Sequence, residues 1–120
     1  MHNNPKLQIP FISEFLNEFK ILVSEGKLNI IPRRKNYATM LELTPDLIKE
    51  ILLSLTIDDY VCGPEKDRDR PDEYVWKFGK DFFKDKQIYI KLKIVDKDND
   101  KEARIISFHY AEREMKNKRF

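Results

Sequence analysis

The sequence predicts an α+β domain: helices first, then a mainly antiparallel sheet of three to four strands, with the helices packed on one face. Three observations predict it. Up to residue 55 the apolar residues recur at steps of three and four. After Thr56 the period changes to two. The strand-like runs then follow one another through short polar links, without the long crossovers that parallel neighbours need.

The first helix is carried by Phe11, Ile12, Phe15, Leu16, Phe19, Leu22 and Val23, which share one helical face. Pro10 suits its first turn and Gly26 its left-handed end. Residues 1–9, polar with early prolines, are expected to be loosely held. Residues 28–31 form a short apolar piece closed by Pro32. Asn36 suits the N-cap of a short helix over 37–43. Thr44-Pro45-Asp46 combines a hydroxyl cap, a first-turn proline and an acid at the positive dipole end. Leu47, Ile48, Ile51, Leu52 and Leu55 follow at helical spacing, and Thr56 caps a brief turn.

Residues 60–62 are a short extended piece stopped by Gly63-Pro64, and 64–73 form a charged loop. In the strand over 73–78, Tyr74, Trp76 and Phe78 point one way and Val75 and Lys77 the other. Residues 79–86 turn the chain. The run 87–95 alternates strictly: Ile88, Ile90, Leu92 and Ile94 against Tyr89, Lys91 and Lys93. A polar hairpin loop over 96–101, longer than the two-residue ideal, leads to a last strand over 103–110. There Ile106 and Phe108 share one face, and Ile105, Ser107 and His109 the other. The basic tail 111–120 is a last helical turn or loose chain. The chain thus reads as one domain with a helical part, 10–55, and a sheet part, 60–111.

At 120 residues, 41% hydrophobic and 37% charged, the chain can bury one modest core. A net charge of +2 gives no whole-molecule attraction to nucleic acid, so only the placement of charges can point there. A single cysteine, Cys62, excludes an internal disulfide and a cysteine-based zinc site, fits a reducing cytosol, and reads as a small buried residue. No apolar run approaches the length of a membrane span and no signal peptide is expected, which points to a cytoplasmic protein. Phosphate-binding glycine loops, dinucleotide fingerprints and metal-ligand motifs are absent from the sequence, so neither metal nor cofactor is expected.

If Trp76, Ile90, Leu92 and Phe108 are core, alternation puts Lys77, Tyr89, Lys91, Lys93, Ser107 and His109 on the open face. Neighbouring strands lie about 4.8 Å apart, so these groups share one site if the register brings them level. A histidine, a phenol and several ammonium groups fit cleavage of RNA without a metal. A base takes the 2′-hydroxyl proton, an acid protonates the departing 5′-oxygen, and positive charge meets the phosphorane. His109 is the candidate acid or base, Tyr89 positions the phosphate or relays a proton, and Lys77 and Lys91 stabilise charge. Lys93, Ser107, Arg33, Arg68 and Arg70 are candidates for holding the RNA backbone. The same row also suits a solvated strand face that discourages strand pairing, or a non-catalytic module that binds RNA or protein.

The order of short motifs resembles the MqsR-like toxins of bacterial type II toxin–antitoxin systems. It runs through Glu25-Gly26-Lys27, Ile31-Pro32-Arg33-Arg34-Lys35-Asn36, Leu55-Thr56-Ile57-Asp58-Asp59-Tyr60 and Gly63-Pro64-Glu65-Lys66-Asp67-Arg68. It continues through Trp76-Lys77-Phe78-Gly79, Ile88-Tyr89-Ile90-Lys91-Leu92 and Ile106-Ser107-Phe108-His109. The resemblance covers most of residues 10–110. It implies a RelE-like fold, metal-independent cleavage of single-stranded messenger RNA, and a cognate antitoxin. The family's strand tyrosine falls on Tyr89, a glutamine after the tryptophan on Lys77, and a lysine near the end of the last strand on His109. A further family lysine falls on Val61, which carries no charge.

Overall fold

In the computed structural model, which describes residues 5–83 and 86–112, three helices and five strands form an α+β fold. Helix α1 spans Pro5–Ser24, β1 Leu28–Ile30, α2 Arg34–Glu42 and α3 Pro45–Leu53. A 3-10 turn at Ile57–Asp59 leads into β2 (Tyr60–Lys66), β3 (Tyr74–Phe83), β4 (Lys86–Lys97) and β5 (Asp100–Tyr110). The strand order is β1-β5-β4-β3-β2.

Five strands in a mixed sheet replace the expected three to four antiparallel ones. β1 pairs parallel with β5, Leu28 against Ala103 and Ile30 against Ile105. A three-residue strand is too short to show a period of two, so sequence pattern misses it. α1 and α3 pack on one face as expected, while α2 lies against the edge of β5. Phe15, Leu16 and Phe19 of α1 and Ile48, Ile51 and Leu52 of α3 join Trp76, Phe78, Ile88, Ile90, Leu92, Ile105 and Phe108 in one core. Phe15 stacks on Trp76 with centroids 4.7 Å apart. Burying a side chain such as Phe19 fully contributes about 2–3 kcal/mol.

Several ends behave as their residues dictate. Gly26 takes φ +78° while the amides of Gly26 and Lys27 bond back to the Val23 and Leu22 carbonyls, closing α1. The Thr44 hydroxyl accepts the Leu47 amide at 3.1 Å, and Pro45 opens α3. Thr56 and Asp59 cap the 3-10 turn reciprocally. Other expectations are corrected. α1 begins at Pro5 rather than Pro10, so 5–9 are helical; Pro10 removes one backbone hydrogen bond without ending the helix. β2 runs through Gly63-Pro64, and β3 continues to Phe83. The hairpin between β4 and β5 turns on two residues, Asp98 and Asn99. Both have positive φ, as a tight turn matched to strand twist requires. From residue 113 the basic tail lies outside the described residues, as do residues 1–4.

Asn36 does not cap α2; Arg33 occupies that position and makes no side-chain cap bond. Instead Asn36 is buried against β5. Its Nδ2 donates to the carbonyls of Ile31 and Ile106, both at 3.0 Å, and its Oδ1 accepts the Phe108 amide at 2.9 Å. β1 stops opposite Ile105, and β5 bulges at Ile106. The amide of Asn36 therefore takes the place of a further strand residue along that edge. The bulge also shifts the faces: Ile105, not Ile106, lies in the core with Phe108.

Candidate functional site

The strand register brings the predicted open-face residues level. Lys77 of β3, Lys91 of β4 and Ser107 of β5 form one row across the sheet. Gly79, Tyr89 and His109 form the next. The Tyr89 and His109 rings stack, with centroids 5.2 Å apart and planes inclined by 10°. His109 Nδ1 lies 3.0 Å from the Tyr110 carbonyl, which can only accept. Nδ1 therefore carries the proton, and in the neutral ring Nε2 presents a lone pair.

β2 adds two residues that sequence reasoning did not place here. Cys62 pairs with Lys77 and Glu65 with Val75, with register shifts on either side of Cys62. The Cys62 thiol donates to Glu65 Oε1 at 2.9 Å, and Lys77 Nζ lies 3.4 Å from the same oxygen. Cys62 is thus a half-exposed member of the open face, not a buried core residue. Strict alternation from the buried Tyr60 turns Cys62 toward the core; the register shift between the two brings it to the open face instead. Glu65 would not have been found, because its place depends on the shifts around Gly63. There φ is +126°, and a Cβ would stand 2.9 Å from the Val75 carbonyl oxygen.

The charges on this face divide into two groups. The Cys62 hydrogen bond, followed by Lys77, holds the Glu65 carboxyl below its ordinary pKa. Burial opposes the charge on Lys77, but Tyr89, Cys62 and Glu65 outweigh it and raise that ammonium. Burial pushes the Tyr89 phenol up, so it stays protonated at neutral pH, with Lys77 and Arg33 pulling the other way. Lys91 is lowered by burial and then by the charges of Lys77 and Arg33. Arg33, which precedes α2, thus shares one field with Lys77, Tyr89 and Lys91.

Lys93 differs from the solvent-facing cation that alternation suggested. Its side chain is only 6% exposed, and Nζ lies 2.7 Å from Asp67 Oδ2 and 2.8 Å from Glu73 Oε1. The segment 67–73 folds over this end of the face. Arg68 and Arg70 lie on it, both exposed. Ser107, at the β5 end of its row, is buried, and Val61, half-buried on β2, brings no charge. Among the described residues no group of His, Cys, Asp or Glu side chains is arranged to hold a metal ion. Nor is any helix among them long and apolar enough to cross a membrane.

The chain matches no family model, and comparison with curated proteins and with solved structures gave no match.

Proposed function

We propose that the open face binds single-stranded RNA and cleaves it without a metal, the chain acting as the toxin of a bacterial toxin–antitoxin pair with a RelE/MqsR-like fold. The observation that carries the reading is the surround of the Tyr89–His109 stack. Arg33, Lys77 and Lys91 act on this region together, and among the described residues no carboxylate forms an ion pair with Lys91. Three cations beside a stacked phenol and imidazole suit a phosphodiester with a base attached.

In this reading Nε2 of His109 takes the proton of the ribose 2′-hydroxyl. The 2′-oxygen attacks phosphorus, and the bond to the 5′-oxygen breaks. Tyr89, held protonated by burial, donates to a phosphate oxygen and relays a proton toward the leaving 5′-oxygen. The products are a 2′,3′-cyclic phosphate and a 5′-hydroxyl. Lys91 and Lys77 stabilise the charge that grows on the phosphorane. Arg33, Arg68 and Arg70 hold neighbouring phosphates, so binding weakens steeply with salt. The reading brings with it a cytoplasmic location and an antitoxin protein that covers this face.

Incubation of the purified chain with a defined messenger RNA in EDTA tests the proposal. Wild type gives discrete cleavage. Lys91→Ala slows it by roughly 10²–10³-fold, and His109→Ala by roughly 10²–10⁴-fold. Binding without cleavage, indifferent to His109→Ala but weakened by Lys91→Ala, would instead identify a non-catalytic binding module.

A further inference from the structure

We infer that Lys93 is a positioning residue. It holds the segment 67–73 against the sheet so that Arg68 and Arg70 extend the phosphate track beyond Lys91. The inference rests on the RNA-binding reading of this face and assigns one of its parts.

Lys93 occupies the open face two residues from Lys91, a spacing of about 7 Å along a strand. Its ammonium cannot also meet a phosphate, because it is buried and bonded to two carboxylates at 2.7 and 2.8 Å. Those carboxylates stand at the two ends of the arginine-bearing segment. The segment is closed on itself as well. The Asp67 amide donates to the Glu73 carbonyl at 2.9 Å, and the Glu73 amide to the Arg70 carbonyl at 2.8 Å. Asp67 Oδ1 accepts the Asp69 amide at 2.9 Å. One lysine thus pins both feet of a closed loop. Arg68 and Arg70 stand between those feet with their side chains exposed, and Asp67 is near enough to act on the charge of Lys91. A loop fixed this way presents two guanidinium groups at little entropic cost when a polyanion binds.

The rival possibility is that Asp67 and Glu73 mask Lys93, occupying the place of a phosphate until the loop lifts. The two make opposite predictions for Glu73→Gln, which removes one carboxylate and leaves the Asp67 pair to support the fold. Binding of a fluorescent single-stranded RNA is measured against salt for wild type, Glu73→Gln, Lys93→Met, Arg68→Gln/Arg70→Gln, and each pin variant combined with the arginine pair. Amide exchange is followed at residues 67–73. The expected result is faster exchange in both pin variants, weaker RNA binding, and a salt slope reduced by up to about 0.7 per arginine. The loss vanishes in the arginine-free background. Tighter binding by Glu73→Gln, or an equal loss without the arginines, would overturn the assignment. Failure of the wild-type chain to bind RNA at any salt concentration would remove the parent reading as well, while the exchange data still report whether Lys93 pins the loop.

Discussion

Lys91 and Lys93 sit on the same strand and the same face, two positions apart, and live in opposite surroundings. Lys91 has cations for company: burial, Lys77 and Arg33 all lower its affinity for a proton. Lys93 has two carboxylates that outweigh its burial and raise it. A period of two makes these residues equivalent. What separates them is the segment 67–73, which reaches back over one end of the face and leaves the other open. A charge on a strand is therefore a structural or a chemical resource depending on what a distant loop brings to it.

The largest expected consequence is in stability. Lys93→Met leaves Asp67 and Glu73 facing each other without their cation. Unpairing a buried charge costs about 3–5 kcal/mol, and the partial exposure of these carboxylates brings the expectation to about 2–3 kcal/mol. Urea unfolding measures it. A loss under 1 kcal/mol would erase the contrast between the two lysines.

Acid should narrow that gap. Asp67 is held below its ordinary pKa by Lys93, so its contribution is complete above the unfolded value. It disappears as the pH falls through the folded one. Lys93 is raised, so its share is present at all lower pH and is lost only on the alkaline side. The difference in stability between wild type and Lys93→Met is therefore constant near neutrality and shrinks below roughly pH 4. A gap unchanged down to pH 2 would assign it to packing.

Smallest is the effect of Lys91→Met on stability, a gain of a few tenths of a kcal/mol after screening by solvent. Removing a cation from among cations relieves repulsion. A destabilisation above 1 kcal/mol would mean that Lys91 has a structural partner after all.

Much of the frame was legible because it rests on local rules. The face of α1, the Thr44 cap and the inward Ile88, Ile90 and Leu92 follow from period and capping alone. The grouping of Lys77, Tyr89, Lys91 and His109 on one face followed from alternation. What was not legible depends on pairing between distant segments. β1 is too short to carry a pattern. The bulge at Ile106 exchanges the faces of Ile105 and Ile106, and no single strand announces it. Asn36 looks like a cap because caps favour asparagine, yet its amide serves a strand edge far along the chain. The ion pairs of Lys93 require knowing where the segment 67–73 comes to rest.

The place of β1 beside β5 has a consequence for how the protein comes into being. Leu28, Asn29 and Ile30 are made before β2, β3 and β4, but their partners Ala103, Arg104 and Ile105 are made after all three. So are Ile106 and Phe108, which Asn36 holds. During synthesis the first strand waits without a neighbour while β2, β3 and β4 emerge. Tyr89 waits in the same way for the ring of His109. A nascent chain halted before residue 100 has the lysines but no stacked pair, and its sheet cannot close on its own beginning. The open face is complete only once β5 is in place.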